Sequence, residues 1–167
     1  MDKAYTNLKD MLPDFYIIGH EGLTPEEFFR LLMENDITLL IDVRMRGETF
    51  PIEPVLKEYA NKYNYCVDYE WFRVLGNPFK DRDNWAESYE AYLVGMDREL
   101  EELRNLIIQH HTCLFTDESD PCCSHRLKLA EKLKKKFDLT YVDINHAETL
   151  AKKYSPKAMQ ADDLAKK

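Results

Sequence analysis

The sequence predicts an α/β fold, a three-layer α-β-α sandwich with a mainly parallel open sheet of about five strands. Short apolar segments alternate with longer segments in which apolar residues recur at helical spacing. The stretch 37–41 is almost continuously apolar, which is typical of a strand covered on both faces. A length of 167 residues suits one core. We therefore predict a single domain over 1–154 and a mobile polar tail over 155–167.

The first part of the chain is expected to supply three strands and two helices. The predicted strands are 15–18, 37–41 and 65–69. A helix over 25–35 is predicted because Thr24, Pro25 and Glu27 supply an N-cap, a first-turn proline and a capping-box glutamate. Three apolar residues at helical spacing predict a second helix over 54–64.

The second part begins with a turn-rich segment, 71–83, for which no regular element is predicted. One long helix is predicted from about 84 to 110, because apolar residues keep the helical period throughout. The remaining predicted elements are a strand over 112–116, a helix from Pro121 to about 137 with Asp120 as its N-cap, a strand over 140–144 and a short helix over 146–154.

Charge and composition exclude several classes of partner. The net charge of −8 repels nucleic acid and anionic membranes, so neither is expected as a partner. No apolar run approaches the roughly 20 residues that cross a bilayer, and the start of the chain lacks a signal segment. The four cysteines lack paired metal-type spacing. We predict a soluble cytoplasmic protein without a metal, and the sequence indicates neither a cofactor nor an oligomeric state.

Polar residues follow the predicted strands where each strand ends. Because the carboxyl ends of parallel strands meet at one edge of a sheet, we expect these residues to lie together there. They are Gly19 and His20 after the first strand, Asp42, Arg44 and Arg46 after the second, Glu70 and Arg73 after the third, and Asp117, Glu118, Cys123, His125 and Arg126 after the fourth.

We interpret four residues at this edge as a binding site for a small anionic ligand. Arg44 and Arg126 would clamp a phosphate, carboxylate or sulfate, because guanidinium groups bind such anions through paired hydrogen bonds. Gly19 and Arg46 complete the predicted binding set. The alternative is an internal ion-pair network between the arginines and the nearby carboxylates.

The catalytic candidates are His20, Asp42, Glu118, His125 and Cys123. In the leading hypothesis, an enzyme acts on a small anionic or nucleotide-like molecule, His20 or Glu118 transfers a proton, and His125 positions the reacting group. Alternatively, these residues fix turns, cap a helix or, as a less favoured set, bind a metal ion.

Cys123 and Cys122 define a second hypothesis. At the start of a helix their thiol pKa values would be lowered, and sulfur transfer or thiol redox chemistry would follow. The alternative for Cys123 is a small packed residue. A non-catalytic binding module is the third hypothesis.

Five short motifs together resemble the domain of unknown function 488 family in order and spacing. They are Phe15-Tyr-Ile-Ile-Gly-His20, Leu39-Leu-Ile-Asp-Val-Arg44, Val74-Leu-Gly76, Glu118-Ser-Asp-Pro121 and His125-Arg126. The resemblance implies an α/β domain and no established activity. It also implies cysteines at two positions where this chain carries Thr116 and Ser124. The stretch 41–44 is faintly similar to rhodanese domains, whose catalytic cysteine lies in a loop that ends in arginine.

Overall fold

Five parallel strands form one open sheet in the computed structural model, which describes residues 12–46 and 50–145. The strands are β1 (Phe15–Gly19), β2 (Leu39–Asp42), β3 (Asp68–Trp71), β4 (Thr112–Thr116) and β5 (Tyr141–Asp143). Their order across the sheet is β3-β2-β4-β1-β5, and every neighbouring pair is parallel. The predicted α/β class and parallel sheet are confirmed. The predicted helix over 146–154 and the tail lie outside the described residues.

Five α-helices cover the two faces of the sheet. They are α1 (Pro25–Glu34), α2 (Ile52–Tyr63), α3 (Trp85–Val94), α4 (Asp97–Gln109) and α5 (His125–Phe137). Apolar residues of α1 and α2 pack on one face, and those of α3, α4 and α5 pack on the other. None of the helices in the described ranges is long and apolar enough to cross a bilayer.

Strand β4 lies at the centre of the sheet, and all five of its residues are buried. Leu114 packs into the core beneath α3, α4 and α5, whereas Cys113 and Phe115 pack into the core beneath α1 and α2. Successive side chains of a strand point to opposite faces, so a strand covered on both faces reads as a continuous apolar run.

The capping box of α1 forms as predicted. The Glu27 N–H donates to Thr24 Oγ1 at 3.1 Å, and the Thr24 N–H donates to Glu27 Oε2 at 2.8 Å. Phe28, Phe29 and Leu32 are fully buried on the inner side of the helix. The sequence signal was reliable here because it specifies both hydrogen bonds of the first turn.

The predicted long helix over 84–110 is wrong, because it is divided at Gly95 and Met96 into α3 and α4. Glycine has a low helix propensity, and the Gly95 N–H turns to the carbonyls of the preceding turn. Both residues leave the helical region of backbone angles, with φ/ψ of −87/5 and −107/30, yet the apolar residues on either side keep the helical spacing. The apolar period therefore continues across the break, which hides it from the sequence pattern.

Of the other boundaries that differ from the prediction, two affect the candidate site. Strand β3 spans Asp68–Trp71 rather than 65–69, and Leu39 of β2 lies opposite Asp68. The segment 121–137 starts with a 3₁₀ turn at Pro121–Cys123, and α5 begins only at His125. The 3₁₀ turn separates the two cysteines from the helix start at which the prediction placed them.

Candidate functional site

The candidate site lies at the carboxyl edge of the sheet, where the chain leaves neighbouring strands in opposite directions. The chain passes from β1 and β2 into α1 and α2 on one face, but from β4 into α5 on the other. Strand β4 lies between β1 and β2. Ligands of open α/β sheets bind where the connections diverge in this way. We call the space above these three strand ends the crevice.

His20 and Asp117 form a hydrogen-bonded pair at the crevice. His20 Nε2 lies 2.8 Å from Asp117 Oδ1, and the two side chains retain 13% and 18% of their exposure. An ionised carboxylate only accepts hydrogen bonds, so Nε2 carries the proton and Nδ1 is the acceptor of the neutral ring. The imidazole stacks on Phe50 with ring centres 4.4 Å apart. The ring is thus fixed in orientation while the pair remains partly accessible.

Arg44 holds Asp117 in its ionised form. Arg44 Nη1 donates to Asp117 Oδ1 at 3.1 Å. Burial opposes ionisation of Asp117, but the hydrogen bonds from His20 and Arg44 outweigh it and lower the pKa of this carboxyl to about 2. Asp117 therefore carries its charge throughout the physiological pH range.

Asp42 is the buried anchor of Arg44. Its carboxylate accepts two hydrogen bonds from the Arg44 guanidinium, at 2.9 Å from Nε and 2.8 Å from Nη2. Tyr69 donates a further hydrogen bond to Asp42 Oδ2 at 2.8 Å. Asp42 is fully buried and Arg44 is only 3% exposed. In this structure Asp42 orients Arg44 rather than facing the crevice.

Arg126 is buried and uses all five of its N–H groups within the fold. Its Nε and one Nη2 hydrogen donate to Asp143 Oδ2, at 3.3 and 3.0 Å. The other Nη2 hydrogen donates to the Ser119 carbonyl at 2.8 Å, and Nη1 donates to Thr116 Oγ1 at 3.0 Å and to the Glu118 carbonyl. The structure thus shows the ion-pair alternative for Arg126, with Asp143 as its partner. No N–H group is left for the predicted anion clamp.

Gly19 permits a close approach between the end of β1 and the loop that follows β4. A Cβ atom at this position would lie 1.7 Å from the Glu118 carbonyl oxygen. The Gly19 backbone also pairs with the Asn145 side chain, accepting at 3.1 Å and donating at 2.9 Å. Glycine is therefore required for packing here, and its backbone groups are engaged by Asn145 rather than turned to a ligand.

Glu118, Lys80 and His125 form a second polar group beside the pair. Lys80 Nζ lies 3.0 Å from Glu118 Oε1, while Oε2 is buried without a hydrogen-bond partner among the described residues. His125 Nε2 donates to the Val43 carbonyl at 2.6 Å, and burial lowers the pKa of this imidazole. Burial also opposes ionisation of Glu118, but its own backbone N–H and Lys80 lower its pKa overall. Neutral His125 beside an ionised Glu118 is the arrangement that results.

Cys123 lies on the 3₁₀ turn and is exposed. The negative charge of Asp120, whose carboxylate lies 3.7 Å from Sγ, raises the pKa of the Cys123 thiol. The expectation that a helix start lowers this pKa is wrong, because α5 begins two residues later. Arg46 is exposed in the loop that follows β2. Three or more metal-binding side chains do not cluster anywhere in ranges 12–46 and 50–145.

A protein-family model for a domain of unknown function, DUF488, matches residues 24–133. The chain belongs to the DUF488 family. Searches of curated proteins and of solved structures find no match. The match includes Arg44, Asp117 and Arg126, whereas His20 precedes it.

Two hydroxyl groups meet where the family resemblance implied cysteines. In this DUF488 domain, Thr116 Oγ1 and Ser124 Oγ lie 2.8 Å apart and both residues are buried. Ser124 also caps α5, since its Oγ accepts a hydrogen bond from the Arg126 N–H at 3.3 Å. The pair joins the end of β4 to the start of the following helix.

Several residues of the DUF488 site were not among the predicted candidates. Asp117 was expected at the edge but was not among the catalytic or binding candidates, and Asp143 was overlooked although it ends β5. Lys80 lies in the turn-rich segment 71–83, where no periodic pattern indicates which way a side chain points. The remaining overlooked residues are Phe50, Tyr69, Trp71 and Asn145. The rule that placed polar strand ends at one edge would have found Asp143 had it been applied to the fifth strand.

Proposed function

We propose that this DUF488 domain is an enzyme that moves a proton to or from a small anionic or nucleotide-like substrate bound in the crevice. His20 is the group that transfers the proton. The observation that carries the proposal is the hydrogen bond between His20 Nε2 and Asp117 Oδ1 at the diverging strand ends, with both side chains partly exposed.

The chemistry of the pair supports a general acid–base role. Asp117 fixes the proton on Nε2, so the free Nδ1 of His20 accepts a proton from the substrate. The carboxylate then stabilises the imidazolium that forms, as in other histidine–carboxylate pairs. Arg44 acts through Asp117 by keeping it ionised, and is a positioning residue.

Lys80 is the cation that would meet an anionic group of the substrate. Its side chain is 60% exposed, and its charge interacts with Glu118, Asp117 and Glu21 around the crevice. An anion entering the crevice competes with Glu118 for this ammonium group.

The proposal includes a cytoplasmic location and a small-molecule ligand. All four cysteines are free thiols, which supports the reducing environment of the cytoplasm. The net charge of −8 supports a small molecule rather than a nucleic acid as the anionic ligand.

An activity screen with matched variants tests the proposal. The probes are p-nitrophenyl acetate, p-nitrophenyl phosphate, bis(p-nitrophenyl) phosphate and nucleoside mono- and triphosphates. For any substrate that is turned over, His20→Asn should lower kcat/KM by roughly 10²- to 10⁴-fold. Lys80→Met should mainly raise KM for the anionic substrates.

The control variant is His111→Asn, because His111 is an exposed histidine at the opposite end of β4. It should retain full activity. Turnover that survives His20→Asn, or no turnover of any probe by the wild-type protein, would contradict the proposal.

A further inference from the structure

A cavity of about 230 Å³ opens beside the crevice, between the end of β3 and the start of α2. Its walls include Arg44, Pro51, Glu53, Pro54, Tyr69 and Trp71. Pockets for drug-sized ligands span roughly 300–1,000 Å³. The β3 cavity, as we name this space, is therefore of a size for a single ring system.

Two aromatic rings of the β3 cavity are held in place by hydrogen bonds. Tyr69 donates to Asp42 Oδ2 at 2.8 Å, and Trp71 Nε1 donates to the Arg44 carbonyl at 2.7 Å. Trp71 nevertheless remains 49% exposed. A large apolar ring that is both fixed and exposed is a preformed stacking surface, since little side-chain entropy is lost when a partner covers it.

The environment of Trp71 favours a flat partner. Arg73 lies 5.9 Å from the centre of the indole ring, within the range of a cation–π contact. Pro51, the N-cap residue of α2, and Pro54, in the first turn of this helix, add rigid apolar surface. Base–aromatic stacking depends on such a surface and tolerates any base, because every base has a π-face.

The charges around the β3 cavity favour a neutral ring over an aromatic acid. The guanidinium of Arg44 is already balanced by the carboxylates of Asp42 and Asp117. Glu53 adds a further negative charge to the wall. The carboxylate of Glu53 can accept hydrogen bonds from ring N–H or amino groups, whereas it would repel an acid.

We propose that the β3 cavity binds a neutral planar heteroaromatic ring of the nucleobase type, stacked on Trp71 between the walls of Tyr69 and Pro51. The inference rests on the proposed function only in taking this ring as part of the substrate of His20. Arg44 connects the two places, because it lines the cavity and donates to Asp117 at 3.1 Å. The site of the proposed ring and the His20–Asp117 pair thus have Arg44 as a common neighbour.

Tryptophan fluorescence provides a direct test, because the chain contains only Trp71 and Trp85. In a Trp85→Phe variant, Trp71 is the single emitter. Adenosine, guanosine, cytidine and uridine are titrated into this variant. We expect saturable quenching of Trp71 by at least one of them, and calorimetry on the wild-type chain should give the same affinity.

Substitutions then identify the stacking surface. Trp71→Leu should weaken nucleoside binding by roughly tenfold or more, which is the range for loss of one base–aromatic stack. Trp71→Phe keeps a ring and should retain most of the affinity, which guards against misfolding as the cause. Ile108→Ala, at another exposed apolar side chain on α4, should have no effect.

The outcomes separate this inference from the proposed function. His20→Asn should leave nucleoside binding unchanged while it lowers kcat/KM by roughly 10²- to 10⁴-fold. Binding that responds to Trp71→Leu, together with turnover that ignores His20→Asn, would contradict only the proposed function. The inference is overturned if no nucleoside quenches Trp71 saturably, if Trp71→Leu binds as well as wild type, or if only tetramethylammonium binds, which would indicate a cation site.

Discussion

The histidine–carboxylate pair draws its properties from residues that never reach solvent. Asp42 orients Arg44, Arg44 keeps Asp117 charged, and Asp117 orients His20. Each link is a charge-assisted hydrogen bond of 2.8–3.1 Å. A change at buried Asp42 is therefore expected to reach His20 through two intervening side chains.

The low pKa of Asp117 makes stability depend on pH in acid. The carboxyl has a pKa of about 2 in the folded protein and about 3.8 in its ordinary state. Because the pKa is lower in the folded protein, ionised Asp117 stabilises the fold. This contribution to the free energy of unfolding is complete above about pH 4 and is lost as the pH falls through 2. The linked free energy is about 2 kcal/mol.

We therefore expect Asp117→Asn to lower the free energy of unfolding by about 2 kcal/mol at pH 7. The difference from wild type should shrink between pH 4 and pH 2. Urea unfolding at a series of pH values measures both. The control is Asp81→Asn, because Asp81 lies in an exposed turn. If the difference in unfolding free energy between wild type and Asp117→Asn stayed constant down to pH 2, the low pKa of Asp117 would be refuted.

Cys123 tests the sulfur-transfer hypothesis. Because Asp120 raises the pKa of this exposed thiol, alkylation of Cys123 by iodoacetamide should follow an apparent pKa above the ordinary value of 9.0. The rate is measured by mass spectrometry in a Cys122→Ser background. Asp120→Asn should shift the profile toward lower pH. Rapid alkylation of the unaltered thiol at pH 6 would instead support an activated cysteine.

At the scale of single residues, the sequence predicted which side chains share an edge but not how they pair. His20, Arg44 and Asp117 were expected together because each follows a strand. Arg126 was expected either to clamp an anion or to pair with nearby carboxylates, and its carboxylate partner is Asp143. Arg126 can pair with Asp143 because β5 lies beside β1 in the sheet. The periodicity of apolar residues does not predict this strand order.

At the scale of secondary-structure elements, Ser124 has two roles at the start of α5. Its hydroxyl accepts from the Arg126 N–H as a helix cap and contacts the hydroxyl of Thr116. Asp120 followed by Pro121 predicted an earlier helix start, and these two residues do start a turn. The extended backbone of Ser124, with φ/ψ of −122/141, then separates that turn from the helix. Local cap chemistry cannot distinguish a 3₁₀ turn from the first turn of a helix.

A comparison of two caps measures the second role of Ser124. Loss of a cap alone costs about 1 kcal/mol, which we expect for Thr24→Ala in α1. Ser124→Ala also leaves the buried Thr116 hydroxyl with one contact fewer, so its cost should be about 2 kcal/mol or more. Chemical denaturation of both variants gives the difference. Equal costs would show that the contact with Thr116 adds nothing.

At the scale of the whole molecule, the alternation of apolar and helical segments was sufficient to predict a parallel sheet covered on both faces. It could not predict that β4 enters between β1 and β2, because this depends on long-range packing. That insertion brings Asp117 between His20 and Arg44. The fold class could thus be predicted from the sequence, whereas the hydrogen-bond partners in the candidate site could not.

The position of β4 predicts a gradient of amide protection. β4 pairs with a strand on each side, whereas β3 lies at the edge and is mostly exposed. We expect amide hydrogens of Leu114 and Phe115 to exchange only through global unfolding, and those of β3 to exchange much faster through local opening. Hydrogen exchange followed by NMR measures this. Equal protection of the two strands would contradict the strand order.

The contact between Thr116 and Ser124 also bears on how this architecture tolerates oxidation. The two side-chain oxygens lie 2.8 Å apart, so positions 116 and 124 are in direct side-chain contact. Two thiols at these positions would be open to oxidation at the junction of β4 and α5. With hydroxyls there, the present chain makes the same junction without any sensitivity to redox potential.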